Sequence, residues 1–341
     1  DGLPIRIEGY NGRPLVYGDG LVDFLLDVRS DYTLVEGIDF TGSADAGVLV
    51  SGDHNTVNRC QSFEQGGAGI EVTGISNLIK NNFCYLNGDE GIFLNGATDS
   101  RAYNNSLYGN RAAGLGLTSA IQSNLRNNIS WSLDTGSVAI SVDSGSQTGL
   151  VSDYNDLYRT ESGLIGLWGA QTQDTFNNWR GASGQDANSI SADPGFYQIA
   201  LRVNKEYIYD LHLHSPGVTS PCFNRGVSLA GVVNDDYDGE TRPFGAGVDI
   251  GADEWVNTNP LNSLPDYWEL YYFGNLDPNR RDDHDPDADF LENIREYNNY
   301  TDPTNPDTDA DGLADGDEVD VYLTNPLDSD SDWDGLNDGD E

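Results

Sequence analysis

Pairs of apolar residues flanking one free position recur through the first half of the chain: Ile5/Ile7, Leu26/Val28, Val48/Val50, Ile70/Val72, Ile92/Leu94, Leu115/Leu117 and Ile140/Val142. Alternation with period two marks a strand with one buried face. Recurrence every 22 to 25 residues or so marks a solenoid, in which each turn stacks on the next. Gly stands before four of the pairs, at Gly47, Gly69, Gly91 and Gly114. A second column keeps the same register: Asn82, Asn105, Asn128 and Asn155, with Cys60 in the equivalent place of an earlier turn. Asn tolerates the left-handed bend between strands, and its amide can bond to the Asn one turn above.

The pattern resembles a right-handed parallel β-helix, an all-β solenoid. Seven rungs spaced by about 4.8 Å make a rod of roughly 34 Å. The apolar columns would bury more than a dozen aliphatic side chains at about 1.5–3 kcal/mol each, enough to hold the rod without a cofactor or disulfide. The period also suits leucine-rich repeats, but their Leu-x-x-Leu-x-Leu pattern is missing. After residue 160 the pattern loosens into "ISADPGF" (190–196), "SPCFNRG" (220–226) and "DYDGETRP…GVDIGADE" (236–254). In that order these motifs resemble the C-terminal part of the bacterial choice-of-anchor Q family, over about residues 20–255. The resemblance implies that residues 161–256 close the helix, a lid over backbone groups that would otherwise template further strands. The first rung shows no such lid. Residues 257–281 read as a linker and a short helix, with Pro265 in its first turn, Gly274 at its end, and Trp268, Tyr271 and Tyr272 on one packing face.

Residues 282–341 repeat one formula three times. The copies place Asp285, Asp287, Asp289, Leu291, Asn293 and Glu296; Asp307, Asp309, Asp311, Leu313, Asp315 and Glu318; and Asp330, Asp332, Asp334, Leu336, Asp338 and Glu341 at positions 1, 3, 5, 7, 9 and 12. A hard cation needs six to eight oxygens, and a tight loop delivers them from these positions, with position 7 giving its backbone carbonyl. The predicted cofactor is Ca²⁺. The stretch from about 264 resembles the thrombospondin type 3 and bacterial EF-hand-like repeats of secreted and surface proteins. Phe290 departs from the pattern, standing where Gly312 and Gly335 make the sharp turn in the other copies. The loop starting at Asp285 is therefore expected to be the weakest or most distorted.

Charge then narrows the function. With 57 acidic and 17 basic residues the chain carries a formal −40, which disfavours nucleic acid and anionic membrane as partners. No run of 18 apolar residues offers a membrane span. The sequence has no Met and no signal peptide, as a mature or trimmed piece of a longer protein would. Weak acidic loops suit millimolar calcium, so the expected location is extracellular, secreted or at the cell surface. Three cysteines make no disulfide framework, and Cys60 and Cys84 fall about two residues out of register, as free buried thiols.

β-Helices often cut polysaccharides, and carboxylates for such work exist at Asp53, Asp89, Glu90 and Asp99, which otherwise read as solvated turn residues. The two lysines, Lys80 and Lys205, sit beside no evident carboxylate cluster. His212 and His214 share one strand face without a third ligand, and His54 follows Asp53 in a turn. Phe63, Tyr85, Tyr108, Trp131 and Tyr158 form an outward aromatic column, a surface for sugar rings or protein, or else packing material. Asn128, in a near-match to the glycosylation sequon, belongs to the inward ladder. Two functions are expected: a non-catalytic calcium-binding scaffold in adhesion, a stalk or a filament, or a polysaccharide lyase, hydrolase or sugar-binding protein. The partners would be other copies, a larger parent chain or glycans, with residues 1–20 expected to contact one of the first two.

Overall fold

Three short parallel strands per turn, separated by sharp corners, wind the chain from Ile5 to Trp168 into a solenoid of about seven turns. The computed structural model describes residues 5–9, 13–160, 162–203, 206–214 and 219–340. Their contacts divide into two compact units, one of residues 1–195 and 220–254, the other of 196–219 and 255–341.

In the first unit, sheet A stacks seven strands from Ile5–Glu8 to Val151–Asp153. Sheet B stacks seven, from Leu15–Tyr17 to Asp156–Arg159. Sheet C runs from Leu26–Val28 to Leu164–Trp168, and Gln171–Gln173 adds an antiparallel edge. The apolar pairs from Leu26/Val28 to Ile140/Val142 lie in register on sheet C. Val48, Val50, Ile70, Val72 and Ile92 are fully buried there. Ile5/Ile7 is the exception: it belongs to sheet A, opposite Thr33 and Val35. Every sheet alternates with period two, so one more apolar pair at nearly the right spacing did not distinguish the sheets.

The Asn column is the corner between sheets A and B. Each Asn accepts from the backbone amide one rung earlier: Asn82 from Cys60, Asn105 from Asn82, Asn128 from Asn105 and Asn155 from Asn128, at 2.9–3.1 Å. Their own amides donate back to carbonyls such as Val57 and Ile79. A second ladder, Gln65, Asn87 and Asn110, does the same at the corner between sheets B and C. The backbone polarity of a tight corner is thus satisfied inside the rod. Cys60 and Cys84 are free and buried, with Cys84 opposite Ser62 rather than Cys60. Burial pushes the Cys60 thiol up to about 12.

Helix α1 (Phe176–Ser183) covers the end of the last rung. Thr175 caps its N-terminus and Gly184 its C-terminus. Its Trp179 joins the solenoid core and donates from Nε1 to Asp186 at 2.8 Å. Residues 220–254 instead run along the A/B corner. Val227 bonds Asn127, Asp235 pairs with Lys80, Tyr237 stacks on Phe83 under the Arg13 guanidinium, and Gly251 bonds back to Asn127 and Asn104. A buried Arg242–Glu254 pair at 2.8 Å ties the strap to itself. The expected lid is therefore α1, while the motif-rich segment is a flank strap. The motifs supply polar groups for the corner asparagines, which an end cap would not meet.

The second unit holds the hairpin Phe196–Val203/Glu206–Leu213, α2 (Asp266–Phe273) and α3 (Asn293–Asn299). Gly274 caps the end of α2 as expected, while Pro265 is its extended N-cap residue, just before the first turn rather than in it. Trp268, Tyr197, Tyr297 and Leu264 make its core, with Tyr272 packed against it. Tyr271 is 79% exposed, so it does not share that face.

Candidate metal centre

The acidic loops fold into nests of carboxylates. Oxygens of Asp285, Asp287 and Asp289 lie within 4.8 Å of one another, as do those of Asp307, Asp309 and Asp311. Within each nest, position 1 holds the turn: Asp285 accepts from the amides of Ala288 and Phe290, Asp307 from Asp311 and Gly312, and Asp330 from Gly335. The position-6 turn is left-handed in all three copies, with φ of 75° at Phe290, 105° at Gly312 and 100° at Gly335. A bulky residue thus occupies the strained geometry that glycine takes freely.

Position-12 glutamates sit deeper. Glu296 and Glu318 are fully buried, each with one oxygen bonded to a threonine, Thr301 or Thr324. The other oxygen of each has no hydrogen-bond partner, and the same holds for Asp309 Oδ2 and Asp330 Oδ1. A buried carboxylate oxygen without a donor is costly. Burial first, then the charge of Asp287, pushes Glu296 up to about 9. Burial and Asp309 push Glu318 to about 8, and burial and Asp311 push Asp309 to about 7. All donors here are oxygen and most are charged, the set that calcium takes and softer metals do not. Glu341 lies outside the described residues.

Position 9 departs from the loop formula. Asp315 converges with Asp289 and Glu296 of the preceding repeat, and Asp338 with Asp311 and Glu318. Asn293, in the first copy, instead donates to the Arg281 carbonyl. Reading each copy by itself missed this, although Asp-Gly at positions 9–10 of the last two copies was the available signal.

The carboxylates considered for hydrolysis do not assemble. Asp53 and Asp99 lie at corners leading from sheet C to sheet A, where Asp53 accepts from Ile75 N and Asp99 from Ser76 Oγ. Asp89 and Glu90 lie at the opposite edge of sheet C, where the strand Glu90–Asn95 begins. Glu90 extends over Gly116, which has no side chain to block it. Burial, then the charges of Asp89 and Glu71, push Glu90 up to about 7. Lys80 is engaged by Asp235, and Lys205 lies outside the described residues. His212 pairs with Asp210 and stacks on Tyr267, while His214 packs on Tyr197 and Tyr297. His54 stacks on Tyr32 in its turn.

Phe63, Tyr85, Tyr108, Trp131 and Tyr158 stand in register on sheet B. Phe63 stacks on Tyr85, and Trp131 meets Tyr108 and Tyr158 edge-on. Tyr85, Tyr108 and Trp131 are only 6–7% exposed. The column is therefore packing, with Phe63 and Tyr158 half-buried at its ends.

Residues 25–179 match the family model described as the right handed beta helix region. No curated protein sequence matched the chain. Among solved structures, pectate lyase Pel9A is similar at 15% identity and a TM-score of 0.36, over 74% of this chain and 80% of that one. The periplasmic alginate epimerase AlgG is similar at 12% identity and 0.34, over 56% of each chain. The family match and the three stacked sheets agree that the first unit is a right-handed parallel β-helix.

Proposed function

We propose that this is an extracellular calcium-binding structural protein, a β-helix carrying a calcium-ordered repeat module, acting in surface attachment, a stalk or a filament. The observation that carries it is the set of buried carboxylate oxygens without donors at Glu296, Asp309, Glu318 and Asp330. A divalent cation would give these oxygens a partner and offset their mutual repulsion. The resemblances to thrombospondin type 3 repeats and to choice-of-anchor Q proteins support a surface setting. Limited proteolysis with calcium and with chelator tests the reading. Residues 282–341 should be cut faster in chelator while the β-helix, whose core uses no metal ligand, persists. Identical digestion in both would sink it.

A second reading, a polysaccharide-binding or polysaccharide-cleaving protein, is favoured by Glu90, which begins a sheet C strand and lies near enough to Glu71 to feel its charge. There a carboxyl raised to about 7 could serve as an acid. The solved structures named above are a lyase and an epimerase, and neither name describes a scaffold. Incubation with polygalacturonate and alginate, followed by chain-length analysis, decides it. Cleavage that disappears in Glu90→Gln would replace the scaffold reading.

A further inference from the structure

The acidic repeats differ in one respect that their shared formula hides. The second and third carry a hydroxyl at position 2, Asp at position 9 and Gly at position 10: Thr308, Asp315 and Gly316, then Ser331, Asp338 and Gly339. The first has Pro286, Asn293 and Ile294. Only repeats with a predecessor carry the trio.

The structure gives the trio one job. Asp315 accepts from Thr308 N and Oγ1 at 2.8 and 2.6 Å, which aims its carboxylate back at the preceding repeat. There it meets Asp289 and Glu296, all three side chains buried. Asp289 Oδ2 accepts from Gly316 N at 3.0 Å, and a Cβ on Gly316 would run into the Asp289 carbonyl. One repeat later the arrangement recurs. Asp338 accepts from Ser331 N and Oγ, and it converges with Asp311 and Glu318. Gly339 donates to Asp311 at 3.2 Å, and a Cβ there would strike the Asp311 carbonyl. Three carboxylates meeting at a site shielded from water repel one another unless a cation lies between them or one of them takes up a proton. Glu296 and Glu318, each with one buried oxygen that has no hydrogen-bond partner, belong to these clusters.

We propose that Asp315 and Asp338 close divalent-cation sites built on the preceding repeat, so that the trio is an inter-repeat clamp and each repeat's cation depends on its successor. This rests on the calcium reading above and assigns position 9 to a neighbour's site rather than its own loop. Binding then couples along the chain from the C-terminal side, as nearest-neighbour interfaces do in other repeat arrays.

Hydrogen exchange read by mass spectrometry on the full chain, in calcium and in chelator, tests it. In Asp338→Asn, calcium-dependent protection should fall at residues 307–318 while the Asp330 loop keeps its own. In Asp315→Asn it should fall at 285–296. Loss of affinity at the affected site should be roughly tenfold or more, as for other disrupted metal environments. The exposed Asp317→Asn serves as a control and should change neither. Gly339→Ala keeps every charge but blocks the approach of the repeats, and it should reproduce the Asp338→Asn pattern. Protection lost only within the mutated residue's own loop would overturn the clamp. If the wild type shows no calcium-dependent protection at all, the calcium reading fails, and the clamp with it.

Discussion

Asn105 sits in the middle of the corner ladder, bonded to the asparagines on both sides, and replacing it with Ala measures what the ladder contributes. Its Oδ1 accepts from Asn82 N and Nδ2 at 3.1 and 2.9 Å. Its Nδ2 donates to the carbonyls of Ile79 and Tyr103 and to Asn128 Oδ1 at 2.9–3.1 Å. In Asn105→Ala the Asn82 amide is left buried without an acceptor, at about 1–3 kcal/mol, and the remaining lost bonds bring the total to about 2–5 kcal/mol. That is a large share of the roughly 5–15 kcal/mol typical of a folded domain. Thr118→Ala, exposed at the end of a sheet C strand, should stay within about 0.5 kcal/mol. Urea unfolding followed by circular dichroism in chelator compares the two. A solenoid can lose rungs locally, so the Asn105 variant should also broaden the transition. A cost at Asn105 no larger than at Thr118 would refute the argument that corner polarity is satisfied by the ladder.

Three further outcomes are expected. Phe290→Gly should relieve about 1–2 kcal/mol of left-handed strain and tighten calcium at the first loop; calorimetry showing no gain would contradict the strained turn. Glu90 has its carboxyl raised from 4.5 to about 7, so it favours the folded state below about pH 4.5, and that contribution is lost as pH rises through 7. Glu90→Gln should therefore raise the melting temperature of the β-helix at pH 8 relative to wild type and flatten its dependence between pH 5 and 8; parallel melting curves would refute the shift. Trp179→Ala should destabilise the β-helix by about 3–5 kcal/mol, since a fully buried ring under the last rung and its bond to Asp186 are both lost. An unchanged thermal melt would mean that α1 does not close the end.

The β-helix was legible because a solenoid repeats its local chemistry. Period-two apolar pairs, corner asparagines and the 22–25-residue spacing each report one turn, and the turns stack in the same register. The acidic loops were legible for the same reason, including the misfit at Phe290. What periodicity left open was which sheet a pair belongs to, as Ile5/Ile7 showed. It also left open whether an outward residue is exposed. Trp131 and Tyr108 point outward and are still buried, because exposure depends on what packs against a face.

Non-local pairing was decided by the tertiary structure. The path of residues 220–254 along the A/B corner joins residues a hundred or more apart, such as Asn127 with Val227 and Lys80 with Asp235. The separation of Asp53 and Asp99 from Asp89 and Glu90 depends on which corner each occupies. The meeting of Asp315 with Asp289 and Glu296 depends on how one repeat seats on the last. Local sequence sets strand, turn and ligand type through steric and hydrogen-bonding preferences that act over a few residues. The partner of a carboxylate or a ring is set by contacts between segments far apart in the chain, and those exist only once the chain has packed.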